Sequence, residues 1–139
     1  MRIMAFDYGT KRVGMAVTDP LQLIATALET VHAKDVQDYV KAYVAREDVE
    51  VFVVGMPRQL DGSDSESAQH VKGFVRSLRS AFPAIPVETI DERFTSKIAS
   101  ASIAQSGMTK KKRQDKSLID SVSAVIILQS YLERRDFHR

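Results

Sequence analysis

Acidic residues fall at the edges of three apolar stretches. Asp7 directly follows Ile3-Met4-Ala5-Phe6, Asp91 and Glu92 directly follow Val87 to Ile90, and Asp120 lies between Leu118-Ile119 and Val122. An unpaired carboxylate beside apolar neighbours is expensive, so each of these acids needs a partner. Carboxylates gathered at one end of a sheet bind hard divalent cations through oxygen. Mg²⁺ takes one or two carboxylates and completes its shell with waters and phosphate oxygens. Two such ions about 3.5–4 Å apart activate a water and stabilise the leaving oxygen in phosphodiester cleavage. Each acid also has a plain structural use. A strand-end Asp closes a turn, Asp91 is placed to pair with Arg93, and Asp120 to help cap the last helix. Only convergence of the three selects metal chemistry.

Cations stand near two of these acids. Tyr8-Gly9-Thr10-Lys11-Arg12 follows Asp7, and Lys110-Lys111-Lys112-Arg113 with Lys116 precedes Asp120. The first segment lacks the P-loop and the GxGxxG patterns, yet it offers backbone N–H groups, Lys11 and Arg12 to a phosphate. Read as structure alone, it is a tight hairpin turn in which Gly9 supplies a positive φ. The second segment is either a solvated loop or a set of contacts to a nucleic-acid backbone, which carry affinity and make it salt-dependent. Aromatics make up 7% of the chain and none interleaves with this run, which argues against a stacking platform there.

Over 139 residues, 20 Lys plus Arg stand against 18 Asp plus Glu, but the balance is uneven. Residues 1–92 sum to −4 and residues 93–139 to +6. An acidic body with a basic end suits one site for cations and another for a polyanion. With no cysteine, disulfides, thiolate zinc sites, iron–sulfur clusters and a cysteine nucleophile are excluded. His32, His70 and His138 show no metal-ligand spacing. No apolar run reaches the roughly 18 residues of a membrane span, and Met1-Arg2-Ile3-Met4 enters folded-looking sequence without a signal peptide. A cytoplasmic protein of one domain, residues 1–139, is the expectation.

The elements that must position these residues follow from periodicity. Arg2 to Phe6 and Val13 to Thr18 read as strands joined by the Gly9 turn, and Leu23 to Val31 as a third strand. Val36, Tyr39, Val40, Tyr43 and Val44 recur at helical spacing between Asp35 and Glu47. The unbroken run Val51 to Val54 suits a central strand buried on both faces. After a polar loop from Gly55 to Ser65, with a capping box at Ser63 and Glu66, a helix runs to about Phe82. Ala68, Val71, Phe74, Val75 and Leu78 form its buried face. Val87 to Ile90 is a short strand, Thr95 to Gln105 a helix, and Ser117 to about Arg135 the last helix. The order implies an α/β fold. Three antiparallel N-terminal strands and then two parallel ones make a mixed five-stranded sheet with helices on both faces.

The chain resembles the YqgF/RuvX family of bacterial Holliday junction resolvases, which have an RNase H-like fold. The resemblance runs nearly end to end. It rests on Asp7-Tyr8-Gly9-Thr10-Lys11-Arg12-Val13-Gly14 with Asp19, on Gly55-Met56-Pro57 with Asp61-Gly62-Ser63, and on Asp91-Glu92-Arg93-Phe94-Thr95-Ser96. It continues through the basic run and Ile119-Asp120-Ser121-Val122-Ser123-Ala124 into Ile127-Leu128. Arg58-Gln59 and Ser123 depart from the usual pattern, and neither departure touches the acids.

The resemblance implies a nuclease that acts on branched DNA or matures the precursor of 16S ribosomal RNA, alone or as a homodimer, in contact with ribosome precursors. It assigns catalysis and Mg²⁺ or Mn²⁺ ligation to Asp7, Glu92 and Asp120; strand alternation alone does not separate Asp91 from Glu92. Lys11, Arg12, Arg58, Arg93, Lys110, Lys111, Lys112 and Arg113 would then hold phosphates. Two other readings compete with it. A non-catalytic nucleic-acid or ribosome-associated module needs the basic run but not the acids. A sugar-kinase-type phosphotransferase needs a second domain for which 139 residues leave no room.

Overall fold

The computed structural model describes residues 1–56, 68–91 and 116–137, the side chains of Asp91, residues 116–121 and residues 136–137 excepted. Five strands are β1 (Arg2–Tyr8), β2 (Arg12–Thr18), β3 (Ala25–His32), β4 (Val49–Met56) and β5 (Val87–Asp91). Three helices are α1 (Val36–Arg46), α2 (Ala68–Ala81) and α3 (Lys116–Phe137). The expected helix from Thr95 to Gln105 and the capping box at Ser63 and Glu66 lie outside the described residues.

The sheet order is β3-β2-β1-β4-β5. β1, β2 and β3 pair antiparallel, while β1–β4 and β4–β5 pair parallel, as the sequence predicts. Parallel neighbours need crossover connections, and α1 and α2 belong to them. Alternation along the strands divides the core in two. Met4 and Phe6 of β1, Phe52 and Val54 of β4, and Val13 and Met15 of β2 pack with Val36, Val40 and Tyr43 of α1 and Val71, Phe74 and Leu78 of α2. On the other face, Ile3, Ala5, Ala16, Val51 and Val53 pack with Ala124, Ile127, Leu128 and Tyr131 of α3. The small side chains of Ala5, Ala16 and Ala124 let α3 lie close to the sheet.

The direction of α3 decides what it brings to the site. Near its C-terminal end, the Tyr131 hydroxyl donates to Glu88 Oε2 at the start of β5, and Arg135 donates to Gln22 Oε1 between β2 and β3. Burial first, and then the bond to Glu88, push the Tyr131 phenol up to about 12. That end of α3 therefore sits where β1, β4 and β5 begin. Its first turns lie where those strands end.

β3 begins at Ala25 rather than Leu23 because Asp19 holds the preceding residues in a turn. Its carboxylate accepts the N–H groups of Leu21 at 3.2 Å, Leu23 at 2.8 Å and Ile24 at 2.8 Å. Gln22 adopts a φ of 60°, and its Nε2 donates to Met1 O at 2.9 Å and Glu50 Oε2 at 3.0 Å. The Ile24 bond above all, joined by those from Leu23 and Leu21, keeps the Asp19 carboxyl below its ordinary value. A group whose pKa is depressed by folding stabilises the fold above its unfolded pKa, about 3.9 for Asp, and loses that effect as pH falls through the lower folded value. The amide resonances of Leu23 and Ile24 are expected to hold steady to about pH 4 and then move together. In Asp19→Ala they should be displaced at every pH; resonances unmoved by that substitution would rule out the carboxylate as the loop's anchor.

Candidate active site

Strand alternation fixes the side of the sheet to which Asp7 belongs. Ile3 and Ala5 face α3, and Met4 and Phe6 face α2. Tyr8 stacks on Phe74 of α2, with ring centroids 4.5 Å apart and planes 16° from parallel. Asp7, between Phe6 and Tyr8, belongs to the α3 side. Its cross-strand neighbour on β2 is Gly14, which contributes no side chain beside the carboxylate.

The register aligns the ends of three strands. Phe6, Val54 and Thr89 form a row across β1, β4 and β5. Asp7 lies one residue beyond that row and Asp91 two beyond it, on strands about 10 Å apart. α3 approaches the same end. Position 120 is seven residues before Ile127, which packs on this face of the sheet, so it lies two helical turns, about 10 Å, further along. The fold therefore directs Asp7, the end of β5 and the early turns of α3 to one end of the sheet and one of its faces.

The turn after β1 adds cations at that end. Gly9 N–H donates to Arg12 O at 2.9 Å, and Ala33 N–H donates to Lys11 O at 3.0 Å, tying the turn to the segment before α1. Lys11 is exposed and Arg12 half-buried. Glycine at position 9 is explained by space and not by the positive φ expected of it: its φ is outside the left-handed range, and a Cβ would come 2.9 Å from the Arg12 carbonyl oxygen. Backbone cannot swing aside as a side chain can. Gly9→Ala is therefore expected to cost about 1–3 kcal/mol, the usual range for overpacking, and to displace Lys11 and Arg12. Chemical denaturation and salt-dependent nucleic-acid binding would register the two effects; a variant as stable and as tight-binding as the parent would refute the steric account.

Of the sequence-predicted site residues, Asp7, Lys11 and Arg12 are brought together at the carboxyl end of β1. Asp120 lies in α3, with its side chain outside the described residues. Glu92, Arg58, Arg93, Lys110, Lys111, Lys112 and Arg113 also lie outside them. Among the described residues no three His, Cys, Asp or Glu side chains form a metal-binding group, and no helix is long and apolar enough to cross a membrane. Sequence reasoning missed Tyr8 as an aromatic surface and Asp19 as a loop anchor. A strand-parity count on β1 would have placed Tyr8 opposite Asp7, and the Asp19-Pro20 step is a turn signal.

Comparisons with known proteins agree with this architecture. A protein of Porphyromonas gingivalis named "Putative pre-16S rRNA nuclease" is 51% identical over 135 residues, covering 97% of this chain and 98% of its own. A protein of the same name from Bacteroides thetaiotaomicron is 48% identical over 136 residues, covering 98% and 99%. Among solved structures, the fowlpox virus resolvase bound to Holliday junction DNA superposes with a TM-score of 0.58 at 15% identity, covering 96% of this chain and 98% of that one. Thermus thermophilus RuvC, also with a Holliday junction substrate, gives 0.54 at 18% identity, covering 97% and 96%. At such identities the likeness is one of fold, and it is the RNase H-like fold. Residues 1–134 match the family described as "RuvX: Holliday junction resolvase", and with relatives near half-identity over almost its whole length this chain belongs to the RuvX family.

Proposed function

We propose that residues 1–139 act as one metal-dependent nuclease domain that hydrolyses phosphodiester bonds of structured nucleic acid in the cytoplasm, with precursor 16S ribosomal RNA or branched DNA as substrate. The observation that carries this reading is the convergence of β1, β5 and α3 on one end of the sheet, with the acid Asp7 beside the cations Lys11 and Arg12. The names of the relatives and the RuvX family description support it.

Asp7, Glu92 and Asp120 would hold Mg²⁺ or Mn²⁺. Hard oxygen donors in a chain without cysteine fit those ions. When bound, such an ion supplies water activation and charge stabilisation on the leaving oxygen. The parity of β5 favours Glu92 over Asp91: Val87 packs on the α2 face, whereas Glu88 bonds to Tyr131 of α3 and Ile90 packs against the α3 cluster. The even positions of β5 thus belong to the side on which Asp7 acts. Lys11 and Arg12 hold phosphates next to the reacting one, and Arg58, Arg93 and Lys110 to Arg113 extend that contact along the backbone. Backbone contacts position a substrate without reading its sequence, so selection rests on shape.

The deciding experiment incubates the purified protein with four-way DNA junctions and with precursor 16S leader RNA, with Mg²⁺ or Mn²⁺ and with chelator. Metal-dependent cleavage of either substrate, absent in Asp7→Asn, is the expected result. Tight binding without cleavage, insensitive to metal and to Asp7→Asn, would instead make this a non-catalytic binding module.

A further inference from the structure

A cavity of about 330 Å³ opens between α1 and α2 on the opposite side of the sheet from Asp7. Tyr8 and Phe74 form its aromatic wall, and Gln37, Gln69, His70 and Ser77 supply its polar groups. Among the described residues no Lys, Arg, Asp or Glu lines it. That composition does not suit a phosphate; it suits a neutral planar group with a hydrogen-bonding edge. The wall is built firmly. Tyr8 is backed by the stacked ring of Phe74, Gln37 Nε2 donates to Ser77 Oγ at 2.7 Å, and Ser77 Oγ donates to Phe74 O at 2.8 Å. The Gln37 side-chain carbonyl oxygen is an acceptor, and Gln69 and His70 stand exposed at the mouth.

Gly73 gives an independent indication. It lies inside α2, where glycine costs about 1 kcal/mol relative to alanine. Among the described residues a Cβ there would meet only Arg76 Nη2, at 3.9 Å, so packing within them does not call for glycine. Gly73 lines this same cavity. A position without a side chain beside an aromatic-walled cavity leaves room for close approach of a ligand.

We infer that this cavity receives an unpaired nucleobase of the nucleic acid whose backbone is cut beside Asp7. The inference rests on the nuclease reading for the ligand's identity. Asp7 and Tyr8 are consecutive, with Cα atoms about 3.8 Å apart, and project to opposite faces of the sheet. A strand crossing the sheet's carboxyl end therefore meets the acid with its phosphate and Tyr8 with a neighbouring base. Stacking on an aromatic ring with hydrogen bonds to the base edge is how unpaired nucleotides are commonly held. It also gives the enzyme a reason to prefer branched or looped substrates over continuous duplex.

The test has two arms, both on the full chain. In the first, ¹⁵N-labelled protein is titrated with adenosine 5′-monophosphate. Shifts are expected at Tyr8, His70 and Gly73, and they should vanish in Gly73→Leu, whose side chain fills the cavity. His70→Ala, at an exposed position, should weaken the same shifts and keeps the test decisive should Gly73→Leu fold poorly. Shifts confined to Lys11 and Arg12, or equal in wild type and Gly73→Leu, would overturn the proposal. In the second arm, Gly73→Leu should raise KM for substrates with unpaired nucleotides about tenfold, in line with the worth of one stacked base, and leave kcat within about twofold; an unchanged KM would also overturn it. Absence of cleavage by the wild type would remove the nuclease reading, while the mononucleotide titration would still decide whether the cavity takes a base.

Discussion

Asp7→Asn is expected to lower the cleavage rate at least about a thousandfold, the scale of losing a member of a catalytic constellation, here a proposed ligand of the metal. The same substitution should leave the thermal midpoint unchanged or raise it. Asn keeps the shape of the side chain at the end of β1, and removing one negative charge from the proposed group of acids would relieve repulsion. The pairing of lost activity with retained stability separates a site residue from a structural one. Single-turnover kinetics with Mn²⁺ and thermal unfolding of the same preparation supply the two readings. Full cleavage by the variant, purified free of host nucleases, would remove Asp7 from the chemistry. Glu92→Gln should behave like Asp7→Asn and Asp91→Asn should retain most activity, as the proposed assignment of Glu92 expects; the reverse outcome would transfer the assignment to Asp91.

The largest loss of stability is expected from Phe6→Ala. Phe6 is fully buried, with its ring edge-on to Phe52 at 5.6 Å and to Phe74 at 5.3 Å. Phe74 in turn backs Tyr8, so this one side chain supports both the end of β1 and the wall of the base cavity. Truncating a buried phenylalanine costs about 3–5 kcal/mol through lost transfer energy and the void left behind. In a domain of this size that lowers the thermal midpoint by roughly 10–20 °C. Urea unfolding monitored by circular dichroism measures it directly. A loss under about 1 kcal/mol would mean that α2 closes over the gap, and that the aromatic cluster is less rigid than its interlocking rings imply.

Much of this was legible in the chain because burial leaves a periodic trace. The five positions expected on the buried face of α2, Ala68 to Leu78, are the five that are buried. In β4 the run Val51 to Val54 is continuous because helices cover both faces of that strand. Where side chain–backbone bonds decide the conformation, periodicity misleads. Leu23 and Ile24 have the alternating look of a strand, yet their N–H bonds to Asp19, with a third from Leu21, hold them in a turn and leave both exposed. Gly9 shows the same limit in another form: its type was readable as a turn signal, but the reason for it, a close carbonyl oxygen, arises only once the hairpin closes. The meeting of β1, β5 and the early turns of α3 at one end of the sheet is legible only in outline, because it depends on the direction of α3, which Tyr131 and Arg135 set through contacts to residues far away in sequence.

That long-range docking also governs how the enzyme comes into being. α3, residues 116–137, covers strands built from residues 2–18, so its contacts close loops of about a hundred residues, and such non-local contacts slow folding. Until they form, Ile3, Ala5, Ala16, Val51 and Val53 present an uncovered apolar sheet face, a hazard for aggregation. The helix that shields this face also carries Asp120. With Asp120 in the proposed metal site, the contacts that shield this face would also complete that site, and a chain lacking them would lack both.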